Sequence, residues 1–226
     1  MDKPAADGQL PLLLLGLTIV SGLVDAVSYL GLGHVFVANM TGNVVFLGFV
    51  AGGAADISAV LSLVAIAAFM LGALAASRLA GNPSRPPGRL LAIASCVQTI
   101  IVAGALLVSL ASFGGRADIS AHALVLLLAF AMGLQTATAR RLGVPDLTTT
   151  VLTLAVTGLA ADGAHPNTGR RLVAIVAMFV GAFVGAVLMF RVSMSAALAA
   201  AVVLLVLNAI ASYRWSSSTA AVDRAS

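Results

Sequence analysis

A single carboxylate stands inside an otherwise uncharged apolar stretch. It is Asp25, and it is the acid in this chain whose setting most invites chemistry. A charge in the middle of such a segment costs at least ~2.5 kcal/mol on membrane-insertion scales, so it calls for a function or a partner. Thr18, Ser21, Asp25 and Ser28 recur at helical spacing and form one polar stripe. The stripe should face the protein interior or a water-filled cavity. Asp25 suits binding of a cation or a proton, with Ser28 beside it. A structural hydrogen bond to a neighbouring segment would explain it equally well.

The run Asn39-Met40-Thr41-Gly42-Asn43 is the most polar stretch at the start of any apolar segment. Asn39 and Thr41 are residue types that cap helices, and Gly42 lets the backbone bend. A half-helix starting here would aim free N–H groups and the positive end of its dipole into the protein, where an anionic group could bind. An interfacial cap that binds nothing has the same composition. In the second half Gln135 and Thr136 take the matching place, and Asp146, Thr148, Thr149, Thr150 and Thr153 open a short segment. Arg140 and Arg141 precede it. They could neutralise Asp146 or attract an anion, although such arginines usually anchor a helix end among lipid headgroups.

Other chemistries find little support. His34, His122 and His165 have no ligand spacing with one another or with acids, so no metal site is expected. The one cysteine, Cys96, lies in mid-segment and reads as a small buried apolar residue. There is no phosphate-binding loop, no dinucleotide fingerprint and no nucleophile elbow. No nucleophile–base pair is visible, so the expectation is a non-enzyme with no cofactor. The formal charge of +4 lies in short clusters between apolar runs, which is loop charge in a membrane protein and not a nucleic-acid patch.

The elements that must position these residues follow from hydropathy. The chain has 226 residues, 61% hydrophobic and 9% charged, against ~25% charged in soluble domains. Leu10–Val24, Ile57–Ser77, Leu90–Gly115 and Val192–Tyr213 carry no charge. A bilayer core of ~30 Å needs ~20 helical residues to cross it, and only a helix satisfies its own backbone there. Eight apolar segments are predicted, near 10–32, 35–55, 57–78, 90–112, 120–139, 147–161, 171–190 and 193–213. Pro83, Pro86, Pro87 and Gly88 break the chain after the third. The first segment is long for a cleaved signal and lacks a small-x-small site. The Ser/Ala-rich stretch 215–226 reads as a disordered tail.

Three blocks repeat in order. Gly22-Leu23-x-x-Ala26 matches Gly133-Leu134-x-x-Ala137, and Met40-Thr41 matches Leu147-Thr148. Ala65-Ile66-x-Ala68-x-x-x-Gly72-Ala73 matches Ala174-Ile175-x-Ala177-x-x-x-Gly181-Ala182. The expected organisation is a cytoplasmic tail 1–9, a first membrane repeat 10–112, a second 113–214 and the tail 215–226. Gly72-x-x-x-Ala76 and Gly181-x-x-x-Gly185 are faces for close helix packing, and the two could pack on each other. Arginine placement tests the topology. Eight spans divide the basic residues six against six. Six spans, with segments two and six entering and leaving on one side, divide them ten against two, as the positive-inside rule requires. Seven spans with only segment six re-entrant give nine against three. The repeat favours six, which puts both termini in the cytoplasm and makes the two halves inverted copies.

The stretches Gly22-Leu23-Val24-Asp25-Ala26, Phe36 to Asn43, Gly133-Leu134-Gln135-Thr136-Ala137 and Leu147-Thr148-Thr149-Thr150 resemble the YoaK family, bacterial multi-pass membrane proteins of unknown function. The resemblance runs from Leu12 to Arg214. It departs at Thr136, where members often carry Asn. It implies a membrane protein and supplies no substrate. The expectation is an all-α polytopic protein of the bacterial inner membrane, six spanning helices plus two short or re-entrant segments. Its expected function is that of a small-solute transporter or permease, taking a polar or anionic solute with a coupling cation or proton. The site is expected at Asp25, Ser28, Asn39, Thr41, Asn43, Gln135, Thr148 and Thr149, and a homodimer could complete the path. A non-transporting scaffold or sensor subunit is the alternative.

Overall fold

A computed structural model describes residues 9–79, 81, 86–111, 117–143, 156–157 and 168–225. Seven helices are described from end to end: α1 (Gln9–Gly31), α2 (Met40–Ala51), α3 (Ala59–Leu79), α4 (Pro87–Ala111), α5 (Ala117–Leu142), α6 (Thr168–Arg191) and α7 (Met194–Ala225). Six of them are long and apolar enough to cross a membrane. The exception, α2, has 12 residues, about 18 Å of helix. No strand occurs among the described residues.

Several element boundaries differ from the hydropathy reading by a few residues, and three of them have a local reason. Hydropathy starts the second segment at 35, but α2 starts at Met40, because residues 32–39 form a loop. Gly33 and His34 turn it with φ of 91° and 57°, a left-handed stretch no helix continues through. α4 opens at Pro87, inside the expected proline-rich connection. Proline is well placed in a first helical turn, where its missing N–H has no partner to lose. α7 continues through Ala225, over the stretch that reads as a disordered tail. Ser217 there turns its hydroxyl back onto the carbonyls of Tyr213 and Arg214. The segment 147–161 lies outside the described residues, except Val156 and Thr157, which are helical.

Contacts fix the direction of each helix. Along α4 and α7, Gly88 meets Trp215, Ser95 meets Asn208 and Ser109 meets Ser195, so these helices are antiparallel. Along α1 and α6, Ile19 meets Gly181, Ala26 meets Gly185 and Gly31 meets Met189, so these are parallel. α3 and α5 also run parallel: Phe69 meets Gly133, and the ends 70–77 and 137–141 share one groove. Gly33, just after α1, touches Leu61 at the start of α3, so α2 does not separate those ends across the bundle. Gln9 lies beside Ser218, which puts the described ends of the chain at the same end of the bundle. Gly143 and Thr168, flanking 144–167, are there too.

α1 lies at the centre. Leu14, Val20, Leu23, Val24 and Val27 are fully buried. It packs mainly on α6 and α7, while α3 packs mainly on α5. Glycine permits both close crossings. A methyl group at Gly133 would collide with the Phe69 carbonyl, and one at Gly72 with the Phe130 carbonyl. On the other crossing, a methyl at Gly22 would meet the Met178 carbonyl, and one at Gly181 the Ile19 carbonyl. Gly185 sits against Leu23, and Ala76 is buried beside Ala94 and Leu134. Gly72 and Gly181 therefore do not face each other, as their matching motifs suggested. Gly72 packs on α5 and Gly181 on α1, where a bare glycine backbone opposes each. Phe179, Phe183 and Phe190 on α6, and Met70, Leu71 and Leu74 on α3, point outward, as lipid-facing residues do.

Candidate functional site

Asp25 lies near the last turns of α1 and is 4% exposed. Its Oδ1 accepts the N–H groups of Val37 at 2.9 Å and Ala38 at 2.7 Å. The Asn39 N–H also faces this carboxylate. Oδ2 is buried and has no hydrogen-bond partner among the described residues. Asn43, fully buried on α2, grips the same loop: its Oδ1 accepts the Phe36 N–H at 2.9 Å, and its Nδ2 donates to the Phe36 carbonyl at 2.7 Å. Phe36, Tyr29 and Phe46 form a three-ring cluster, with Phe36 stacked on the other two at ring-centroid distances of 5.0 and 5.7 Å. Helix α1, the loop and α2 thus form one folded unit.

This geometry changes the reading of the Asn39–Asn43 stretch. The N–H groups leading into α2 are not open to a solute anion. Asp25 already occupies them from the neighbouring helix. Asn39 holds the N-cap position without a side-chain capping bond, and both Asn39 and Thr41 are exposed. Asp25 takes amides that precede α2, whereas an Asn39 cap would serve those of its first turn. Ser28 donates to the Asp25 carbonyl at 3.2 Å and so is bound to its own helix. Thr148 and Thr149 lie outside the described residues.

The stripe on α1 is buried throughout: Thr18, Ser21, Asp25 and Ser28 are at most 5% exposed. Gln135 on α5 meets it, donating to Ser21 Oγ at 2.8 Å and to the Leu17 carbonyl at 3.1 Å. Gln98 on α4 donates to Gln135 Oε1 at 2.6 Å. One turn along α4, Ser95 donates to Asn208 Oδ1 on α7 at 3.2 Å, and Asn208 donates to the Leu13 carbonyl at 2.7 Å. Ser212 also reaches Asn208. A seam of buried polar side chains therefore runs from Asp25 near one end of α1 to Ser212 near the other end of the bundle. From the sequence, Gln98 and Asn208 are natural interhelical partners, whereas Ser95 and Ser212 draw no attention. Their spacing of three and four residues from those amides was the available signal.

Cys96 is exposed, not buried. Ser95 and Gln98 claim the inner face of α4, and Cys96 turns outward while Val97 is half-buried. No group of three or more His, Cys, Asp or Glu side chains able to hold a metal occurs among the described residues.

Fold and site together describe a multi-pass α-helical membrane protein with a polar interior seam. Residues 13–211 match a family described as "Protein of unknown function (DUF1275)", and the chain belongs to that family. It is 36% identical over 149 residues to "UPF0700 transmembrane protein YoaK" of Bacillus subtilis (strain 168). That alignment covers 65% of this chain and 64% of the relative, a little under two thirds of each. No solved structure matches.

Proposed function

We propose that this protein is a small-solute transporter or permease of the bacterial inner membrane, with both termini in the cytoplasm. Its halves, 10–112 and 113–214, are inverted copies, and its path runs between them. The observation that carries this reading is the seam from Asp25 through Ser21, Gln135, Gln98, Ser95 and Asn208 to Ser212. Hydrogen bonds among Ser, Asn and Gln also hold helices together in lipid, but this run ends at a buried carboxylate, and an ionisable group inside the membrane is a functional candidate by default. The paired glycine contacts support the inverted duplication. Gly133 follows Gly22 by 111 residues, and its partner Phe69 precedes Gly22's partner Met178 by 109. Phe130 and Ile19, which face Gly72 and Gly181, keep the same offsets. Inverted repeats with a short segment at matching positions are a recurrent transporter plan.

In this reading Asp25 Oδ2 takes a coupling cation or proton, while Oδ1 holds the loop. Ser21, Gln135 and Gln98 offer donors and acceptors to a polar or anionic solute when the halves rock apart. A second copy could enclose the path through the outward phenylalanine face of α6. A scaffold or sensor role is the second reading, favoured by the use of Asp25 Oδ1 and Asn43 to fold the loop. The test compares the solute content of cells carrying wild-type protein, Asp25→Asn and no protein, with membrane abundance measured alongside. Transport requires at least one solute whose level follows the wild type and reverts in Asp25→Asn at normal abundance. A variant profile identical to the wild type favours the scaffold.

A further inference from the structure

A groove of about 630 Å³ opens between the ends of α3 and α5. The helices are pressed together at Gly72 and Gly133 and part beyond them. Their small residues, Ala73 and Ala137, leave the gap unfilled. Met70 and Leu74 form one wall, 59% and 56% exposed. Ser77, Arg140 and Arg141 form the mouth. Met70 to Ser77 spans about 10 Å of helix, so the groove is apolar at depth and cationic at the rim. Both helices end there, at Leu79 and Leu142, the level of a bilayer surface. Arg78, Arg89, Arg170, Arg171 and Arg214 lie at this same end of the bundle. Asp25, Asp56 and Asp118 lie towards the other, with Arg191, and Asp223 is the one aspartate at the arginine end among the described residues.

We infer that this groove binds one anionic phospholipid, its phosphate on Arg140 and Arg141 and an acyl chain along Met70 and Leu74. An inorganic anion would use the rim and leave the wall bare. A zwitterionic lipid would bring its own cation into a field already positive. A smaller groove of about 470 Å³ at the same end, lined by Gln9, Leu12, Leu13, Ala211, Arg214, Trp215 and Ser218, offers one arginine and serves as an internal control. The assignment does not rest on the transport reading.

The test is native mass spectrometry of the full-length protein in detergent, titrated with phosphatidylglycerol or phosphatidylcholine of the same acyl chains. Each guanidinium near a membrane surface contributes about five-fold in affinity for anionic lipid, and Arg141 already has a bonding partner, so at least about five-fold is expected. One phosphatidylglycerol should bind with about that preference. The preference should vanish in Arg140→Gln/Arg141→Gln, persist largely in Arg140→Lys/Arg141→Lys, and remain in Arg214→Gln, with circular dichroism showing all variants folded. Equal binding of the two lipids, a preference that survives the double Gln variant, or equal loss in Arg214→Gln would overturn the site. Glycerol phosphate provides the headgroup without the chains. Binding at comparable concentration with the same arginine dependence would assign the groove to a free anion and overturn the lipid.

Discussion

At the scale of single residues, Asp25 and Asn43 do the same work from two helices: each gives side-chain atoms to the backbone of the 32–39 loop. Asn43→Ala should remove both bonds to Phe36 and strand a part-buried N–H and carbonyl, at about 1–2 kcal/mol. A lower thermal midpoint in detergent would show it. Asp25 separates charge from shape. Asp25→Asn keeps an acceptor for Val37 and Ala38 and should leave the midpoint within a few degrees. Asp25→Ala orphans both amides and should lower it clearly, by the equivalent of about 2–4 kcal/mol. A midpoint lowered equally by both would mean that the charge itself holds the loop. The sequence marks the Asn39–Asn43 run as polar and close to a helix start. It does not say which members turn inward, because Asn39 and Asn43 are one helical turn apart and only the loop path decides. The pairing of Asp25 with that run is equally hidden. Its bonds go to main-chain N–H groups, which carry no residue signature.

Among the elements, glycine sets how closely two helix pairs approach. Gly133→Val and Gly22→Val place side-chain carbons against a main-chain carbonyl, which cannot swing aside as a side chain can. Each should cost at least ~1–3 kcal/mol as overpacking and reduce the yield of folded protein on size-exclusion chromatography. At Gly104 on α4, a methyl group would meet no atom within 4 Å. Gly104→Ala should therefore stabilise by up to ~1 kcal/mol through helix propensity, read as a raised midpoint. Small residues at 72, 76, 181 and 185 are legible as packing faces, but their partners are not. Core and lipid are both apolar here, so a helix's inner face leaves little trace in its hydropathy. The outward turn of Cys96 is hidden for the same reason.

For the whole molecule, helix direction is the most testable property. In a Cys96→Ala background, single cysteines at Gly53 and Val192 should react with an impermeant thiol reagent from one side of the membrane. Cysteines at Gly81 and Gly143 should react from the other. Reaction of Gly81 and Val192 from the same side would contradict the arrangement. Sequence reads best at this level, since the arginines cluster where the helix directions place one end of the bundle. Most of the 147–161 segment lies outside the described residues, so its path plays no part in that agreement.

The central helix meets its partners in an uneven order during synthesis. The loop that binds Asp25 Oδ1 is made within 13 residues of it, so that oxygen has its partners within reach early in synthesis. The glycine face of α1 must wait for α6, which begins 137 residues after α1 ends, from Gly31 to Thr168. At ~5–20 residues per second that is roughly 7–27 s. For that interval the tightest packing surface of α1 is covered by lipid tails, which α6 must displace.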